Sequence, residues 1–266
     1  MASASDALNY SEPDMQVQLT EPSSHSIYQI LMRSSFRRQL LENYSHIPPE
    51  EQSKHVHEIV RPWDIRAYPC TGVGAWLVPQ LCRNPVYPEI LKRVQAGEVL
   101  IDVGCFLGHD LRRLVYDGAP SDKIYAIDIF IEADIVSESK ALAPLRGKID
   151  IIAITQVIHQ WDWEGQVKAA KQLIGFTKGP GSMIVGNQIG NSKAQEVTLK
   201  TLVVSMWRHN PESFAKLWDQ VGQETGTRWE TQAWMRSFEE MAFGAKDGAG
   251  MEDGVAIIEF AVKRVE

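Results

Sequence analysis

A chain of 266 residues, 44% hydrophobic and 23% charged, is long enough for one large α/β domain or two small ones and can bury a core without staples. A formal net charge of −7 with no basic stripe argues against nucleic-acid binding, which needs clustered Lys and Arg against phosphates. The three cysteines, Cys70, Cys82 and Cys105, form no C-x-x-C pair, which argues against a disulfide framework and a metal site, and no apolar run reaches membrane-span length.

Residues 1–25 are rich in Ser, Glu and Pro and read as a flexible tail. They lack the basic and apolar regions of a signal peptide, so a cytoplasmic address is expected. Ile27, Ile30, Leu31, Leu40 and Leu41 recur at helical spacing and predict a helix over Ser26–Asn43. Pro48-Pro49-Glu50-Glu51 has the chemistry of a helix start. Arg61–Pro79 sets Trp63, Tyr68 and Trp76 among Pro and Gly, an ordered aromatic loop, and a helix over Pro85–Gln95 ends at Gly97. Residues 26–97 thus form a helical cap. From Glu98 the rhythm changes. Val99–Val103 reads as a buried strand, His109–Tyr116 as a helix and Lys123–Ile129 as a second strand. Lys148–Gln156 is a further strand, Gly165–Thr177 a helix, and Ser182–Val185 a strand. A helix runs from Asn210 to about Glu224, followed by strands at Thr227–Trp234 and Gly254–Val265. Strand alternating with helix means an α/β domain over 98–266, with a parallel sheet covered on both faces.

The chemistry concentrates after the first strand. Asp102-Val-Gly104-Cys-Phe-Leu-Gly108 follows a strand and opens a helix, where glycine lets the backbone turn tightly and approach a ligand. Asp128 closes the second strand about twenty residues on, placed to accept hydrogen bonds from ribose hydroxyls. Together they point to a nucleoside over the carboxyl ends of the strands. The dinucleotide pattern G-x-G-x-x-G fails, because Phe106 and His109 stand at its second and third glycines, and no phosphate-binding lysine follows. An acid at Asp102 disfavours a pyrophosphate and favours a cationic ligand end, such as the ammonium and sulfonium of a methionine-type cofactor.

The run from Val99 through Leu114 resembles motif I of class I S-adenosylmethionine-dependent methyltransferases. Arg61-Pro-Trp-Asp-Ile-Arg66, Tyr116-Asp-Gly-Ala-Pro120 and His159-Gln-Trp-Asp-Trp-Glu-Gly-Gln166 resemble fungal secondary-metabolite methyltransferases, notably those that methylate the carboxyl group of farnesylated dimethylorsellinate in meroterpenoid pathways. The likeness runs from about Ser26 to the C-terminus. It implies a Rossmann-like class I methyltransferase sheet with helices on both faces and an N-terminal helical extension. It also implies S-adenosyl-L-methionine as cofactor, held by Asp102, Gly104, Gly108, Asp128 and Gln156, with Asp134 and Ile135 at the adenine. A homodimer is a further expectation, to which the N-terminal helices point. The sequence departs from the usual glycine pattern at Phe106.

One stretch departs further. In the family, the strand ending in the ribose acid is followed by a helix before a third strand ending in Ala-Asp-Ile. Here Ile124-Tyr-Ala-Ile-Asp128-Ile runs directly into Phe130-Ile-Glu-Ala-Asp134-Ile. Neighbouring parallel strands need a crossover of about a dozen residues, so both segments cannot be such neighbours. One must replace or extend the other, with Val136–Leu145 as the sole crossover. Either a segment is missing from the gene model, or the chain is a variant with a weakened cofactor pocket.

His159 follows the strand that ends near Gln156, at the carboxyl end where ligands bind in such sheets, and is the candidate catalytic group. A carboxylate acceptor is ionised at neutral pH and needs no base, whereas a phenol needs one. Trp63 and Trp161 are candidate walls for an apolar terpenoid or polyketide acid; packing of the core is their other reading. The leading expectation is a carboxyl O-methyltransferase. Its rivals are a methyltransferase-fold pseudoenzyme, a cyclase or isomerase on the same fold, and a non-catalytic regulatory protein.

Overall fold

The computed structural model describes residues 40–59, 78–127, 142–199, 204–241 and 251–266. The chain divides into two compact units, residues 1–79 and 80–266. In the first, a five-residue wide turn covers Leu40–Tyr44 and helix α1 covers Pro49–Ile59. The start expected at Pro48–Glu51 is thus borne out. The helix expected over Ser26–Asn43, apart from its last four residues in that turn, and the aromatic loop with Trp63 lie outside the described residues.

The second unit holds helices α2 (Tyr87–Gln95), α3 (His109–Tyr116), α4 (Trp163–Ile174) and α5 (Pro211–Thr225). Its strands are β1 (Leu100–Val103), β2 (Ile124–Ile127), β3 (Ile151–Thr155), β4 (Met183–Asn191), β5 (Gln195–Leu199), β6 (Val204–Arg208), β7 (Trp229–Arg236) and β8 (Val255–Arg264). Six strands form one sheet in the order β2-β1-β3-β4-β8-β7. The first four are parallel, and β8 runs antiparallel to both β4 and β7.

Period-two alternation divides the apolar residues between the two faces. Ile101, Val103, Ile152, Ile154 and Ile184 join Phe214, Leu217, Trp218 and Val221 of α5 in one core. Leu100, Ile151, Ala153, Met183 and Val185 join Ile90 and Val94 of α2 and Leu114 of α3 in the other. Helices cover both faces, as expected. Their ends follow local chemistry. Asp162 caps α4 by accepting from the Gly165 N–H at 2.8 Å. Asn210 and Ser213 form a reciprocal capping box on α5, which stops at Gly226 in the left-handed region.

Two features differ from the sequence expectation. The strand expected to end at Val185 continues to Asn191, past the last residue paired with β3. A hairpin, β5–β6, then stands between β4 and α5, with Val197 opposite Met206 and Gln195 opposite Arg208. Its strands are half polar and enter neither core, so no buried stripe announces them. Among the described residues β2 is the outer strand on its side of the sheet. The junction at 128–135 lies outside the described residues; of the crossover expected over Val136–Leu145, the turn Ala143–Leu145 is described.

Candidate active site

The carboxyl ends of β1, β3 and β4 converge. Asp102 is 3% exposed and pairs in register with Ala126 on one side and Ala153 on the other. The chain then turns at Gly104, whose N–H donates to the Ile127 carbonyl at 2.8 Å, tying the turn to the end of β2. Gly104 sits at φ +77°, and a Cβ there would lie 2.4 Å from Val157 Cγ2. The first glycine is therefore demanded both by backbone conformation and by the loop that follows β3. Phe106 takes φ +47°, a left-handed conformation unusual for a side chain of that bulk. Gly108, at φ +67°, opens α3, and a Cβ there would meet nothing within 4 Å. This glycine faces open space, the kind of cradle in which a cofactor can lie against the backbone.

Beyond β3, Gln156 is also left-handed, at φ +57°. Asn187 of β4 holds it twice. Its carbonyl accepts from the Gln156 N–H at 2.7 Å, and its side-chain oxygen accepts from Gln156 Nε2 at 2.8 Å. A strained residue so firmly held at the mouth of a sheet is a mark of a working site. The next turn, Ile158–Gln160, carries His159. Its Nδ1 is shielded from solvent and has no hydrogen-bond partner among the described residues. Burial, reinforced by the positive charge of Arg208, pushes its pKa down to about 3, so the imidazole is neutral at pH 7. Trp161 packs against the core on the α4 and α5 face. Its carbonyl accepts from Gln166 Nε2 at 3.0 Å and from the Trp207 N–H at 2.9 Å.

The structure thus brings Asp102, Gly104, Gly108, Gln156, His159 and Trp161 to one end of the sheet. Contact between Gly104 and Val157 makes the glycine turn and the His159 loop neighbours. Asp128, Asp134, Ile135 and Trp63 lie outside the described residues. Several polar residues escaped sequence reasoning. Asn187, 2% exposed, is one. Arg208, 3% exposed, is another; its Nε donates to Glu252 at 3.1 Å and its Nη1 to the His159 carbonyl at 3.4 Å. Asp110 is a third. Its carboxylate accepts from the backbone N–H groups of Gln80 and Leu81 at 2.6 and 2.8 Å, pinning the first turn of the unit to α3. In the sequence the only signal for Asp110 was its place just after Gly108.

Residues 29–77 match the family described as the meroterpenoid methyltransferase N-terminal domain. O-methyltransferase phiE of Fungal sp. (strain ATCC 74256) is 32% identical over 81% of this chain and 79% of its own. Methyltransferase adrK of Penicillium roqueforti is 31% identical over 74% of this chain and 80% of its own. The asnovolin E/chermesin D methyltransferase nvfJ of Aspergillus novofumigatus (strain IBT 16806) is 32% identical over 75% of this chain and 81% of its own. In fold, the chain is similar to the 1,6-didemethyltoxoflavin-N1-methyltransferase of Burkholderia thailandensis, with a TM-score of 0.51 over 80% of this chain and 90% of that one at 9% identity. Likeness of that extent makes the chain a member of the fungal O-methyltransferases of secondary metabolism, of the meroterpenoid methyltransferase type.

Proposed function

We propose that this methyltransferase carries a methyl group from S-adenosylmethionine to the carboxylate of an apolar terpenoid or polyketide acid, as a cytosolic homodimer. The observation that carries the reading is the open glycine turn at Gly108, beside the buried Asp102 and next to the loop of His159. The B. thailandensis relative in fold was solved with S-adenosylhomocysteine. Among the described residues no helix is long and apolar enough to cross a membrane.

The residues fit the cofactor. Asp102 supplies negative charge where a cationic ligand end belongs, and the turn from Gly104 to Gly108 leaves room against the backbone. Gln156, fixed by Asn187, offers an amide at the same mouth. Asp128, Asp134 and Ile135 complete the set by their place in the sequence. When bound, S-adenosylmethionine supplies an electrophilic methyl on a sulfonium. The protein's share is then alignment of the acceptor and exclusion of water.

His159 favours a carboxylate over a phenol. With its pKa held at about 3, it is a poor base toward a phenol, whose own pKa is about 10. A carboxylic acid of pKa about 4 is ionised without help. His159 then acts as a neutral hydrogen-bonding group that orients the acceptor.

Calorimetric titration with S-adenosylhomocysteine tests the reading. Micromolar binding is expected, weakened at least about tenfold by Asp102→Asn, a loss of about 1.4 kcal/mol. Transfer of labelled methyl to an acid acceptor should fall in parallel. A folded protein that takes up no S-adenosylhomocysteine would sink the proposal. The second reading, a methyltransferase fold without the reaction, would then hold; the run of Asp128-Ile-Phe-Ile-Glu-Ala-Asp134 without an intervening helix is what favours it.

A further inference from the structure

The β5–β6 hairpin is inserted at the carboxyl end of β4, and the two faces of the hairpin differ. Residues directly opposite one another in an antiparallel pair share a face. Glu196, Trp207, Thr198 and Ser205 therefore lie on one face, and Gln195, Arg208, Val197 and Met206 on the other. The Trp207 face is spoken for. The Trp207 ring meets Trp163 of α4 edge-on at 5.3 Å between centroids, and lies 6.3 Å from His209. The backbone of Trp207 is clamped on both sides, its N–H by the Trp161 carbonyl at 2.9 Å and its carbonyl by Gln166 Nε2 at 2.9 Å.

The opposite face looks elsewhere. Arg208 spans from Glu252 to the carbonyl of His159, which fixes this face beside the candidate catalytic loop. Met206 stands two residues before Arg208 on the same face, about 7 Å along the strand. Val197 is directly opposite it. Both are half-buried, and neither belongs to the two cores that hold the sheet and helices together. Two apolar side chains are thus presented on the face that Arg208 ties to the His159 loop, by an insertion that enters neither core of the sheet.

We infer that the Val197–Met206 face of this hairpin is the wall that selects the acceptor, contacting the apolar body of an acid whose carboxylate is presented at His159. Arg208 is the positioning residue that keeps wall and catalytic loop in one arrangement. The inference rests on the methyl-transfer reading only for the chemical class of the occupant. An apolar acid complements the wall through hydrophobic contact, at a mouth where Arg208 is already paired with Glu252.

Farnesoic acid, a terpenoid carboxylic acid, is a suitable probe. It would be titrated into the whole protein in the presence of S-adenosylhomocysteine and followed by tryptophan fluorescence, since Trp161, Trp163 and Trp207 surround the hairpin base. Four proteins would be compared, the wild type, Met206→Glu, Met206→Ala, and Glu196→Gln at an exposed position of the opposite face. Binding to the wild type is expected, weakened at least about tenfold in Met206→Glu and unchanged in Glu196→Gln, with equal S-adenosylhomocysteine affinity in all four. Equal S-adenosylhomocysteine affinity also shows that Met206→Glu is folded, and Met206→Ala, with a smaller loss in the same direction, guards against a general effect of a buried charge. A wild type that does not bind farnesoic acid, or a Met206→Glu that binds it as tightly, overturns the assignment. Loss of S-adenosylhomocysteine binding in every protein, with farnesoic acid still dependent on Met206, would leave the wall in place and overturn the methyl-transfer reading instead.

Discussion

Gly104 and Gly108 belong to the same turn, yet the structure asks different things of them. At Gly104 a Cβ would collide with Val157 at 2.4 Å, and the backbone is at φ +77°. Gly104→Ala should therefore cost about 1–3 kcal/mol in a urea unfolding series. At Gly108 only the backbone conformation resists a side chain, so Gly108→Ala should cost less stability while filling the open space where the cofactor is proposed to lie. Calorimetry with S-adenosylhomocysteine separates the two, with the larger affinity loss per unit of stability expected at Gly108. His209 makes a third case. It is fully buried, its Nδ1 is 2.8 Å from Ser213 Oγ, and burial holds its pKa down to about 3. Above the unfolded histidine value of about 6.5 both states are neutral and its contribution to stability is complete. Between that value and about 3, the unfolded chain takes a proton that the folded one refuses. Stability should therefore fall on acidification by up to about 1.4 kcal/mol per pH unit on account of this residue, and His209→Phe should make the limb between pH 5 and 7 shallower, leaving the share of His159, while lowering stability at pH 7. The sequence announced Asp102 and both glycines, because a strand, a tight turn and a helix start have local chemistry. It was silent on His209, Arg208 and Asp110. Burial of a polar or charged side chain is set by partners far along the chain, such as Glu252 for Arg208.

Among the elements, α3 shows how far local signals reach. A left-handed glycine before it and an apolar residue facing the core place it at His109–Tyr116, the bounds read from the residues. α5 is similar, since Asn210, Pro211 and Ser213 mark its start in sequence and form the cap in space. Asn210→Ala should cost about 1 kcal/mol, read as a shift in unfolding midpoint without change in slope. β4 was half legible. Met183–Val185 is apolar, but Gly186-Asn-Gln-Ile-Gly-Asn191 carries no strand signal in its composition. Gly186 is needed because a Cβ would fall 1.8 Å from the Ile154 carbonyl, and Gln188 is buried beside Gln166 rather than against apolar neighbours. The polar inner face of this extension hid the hairpin it leads to. Gly165 joins the two, for its missing Cβ lets Trp161 lie over the first turn of α4, at a distance of 2.6 Å from where that Cβ would be. Gly165→Ala should displace Trp161, and with it the carbonyl that clamps Trp207. A blue or red shift of tryptophan emission with little change in helix content would report it.

For the molecule as a whole, cofactor and fold are coupled by mass action. S-adenosylhomocysteine at a hundred times its dissociation constant should raise the unfolding free energy by about 2.7 kcal/mol, an effect Asp102→Asn should cut to about 1.4 kcal/mol or less at the same concentration. The class of fold was open to sequence reasoning because strand and helix alternate throughout residues 98–266, and the sheet order bears this out. How the sheet meets the junction after β2 was not, since a strand's neighbours are chosen by topology and not by its own residues. The order of the strands has one more consequence. β8, the last strand in the chain, is an interior strand, hydrogen-bonded to β4 on one side and β7 on the other. Among the described residues β7 has no other neighbour in the sheet, and what else holds it is its packing on α5, where Trp229 lies 5.1 Å from Trp218 between ring centroids. A chain without residues 255–264 would have no strand between β4 and β7, so loss of this segment would not trim the molecule but leave its sheet in two pieces.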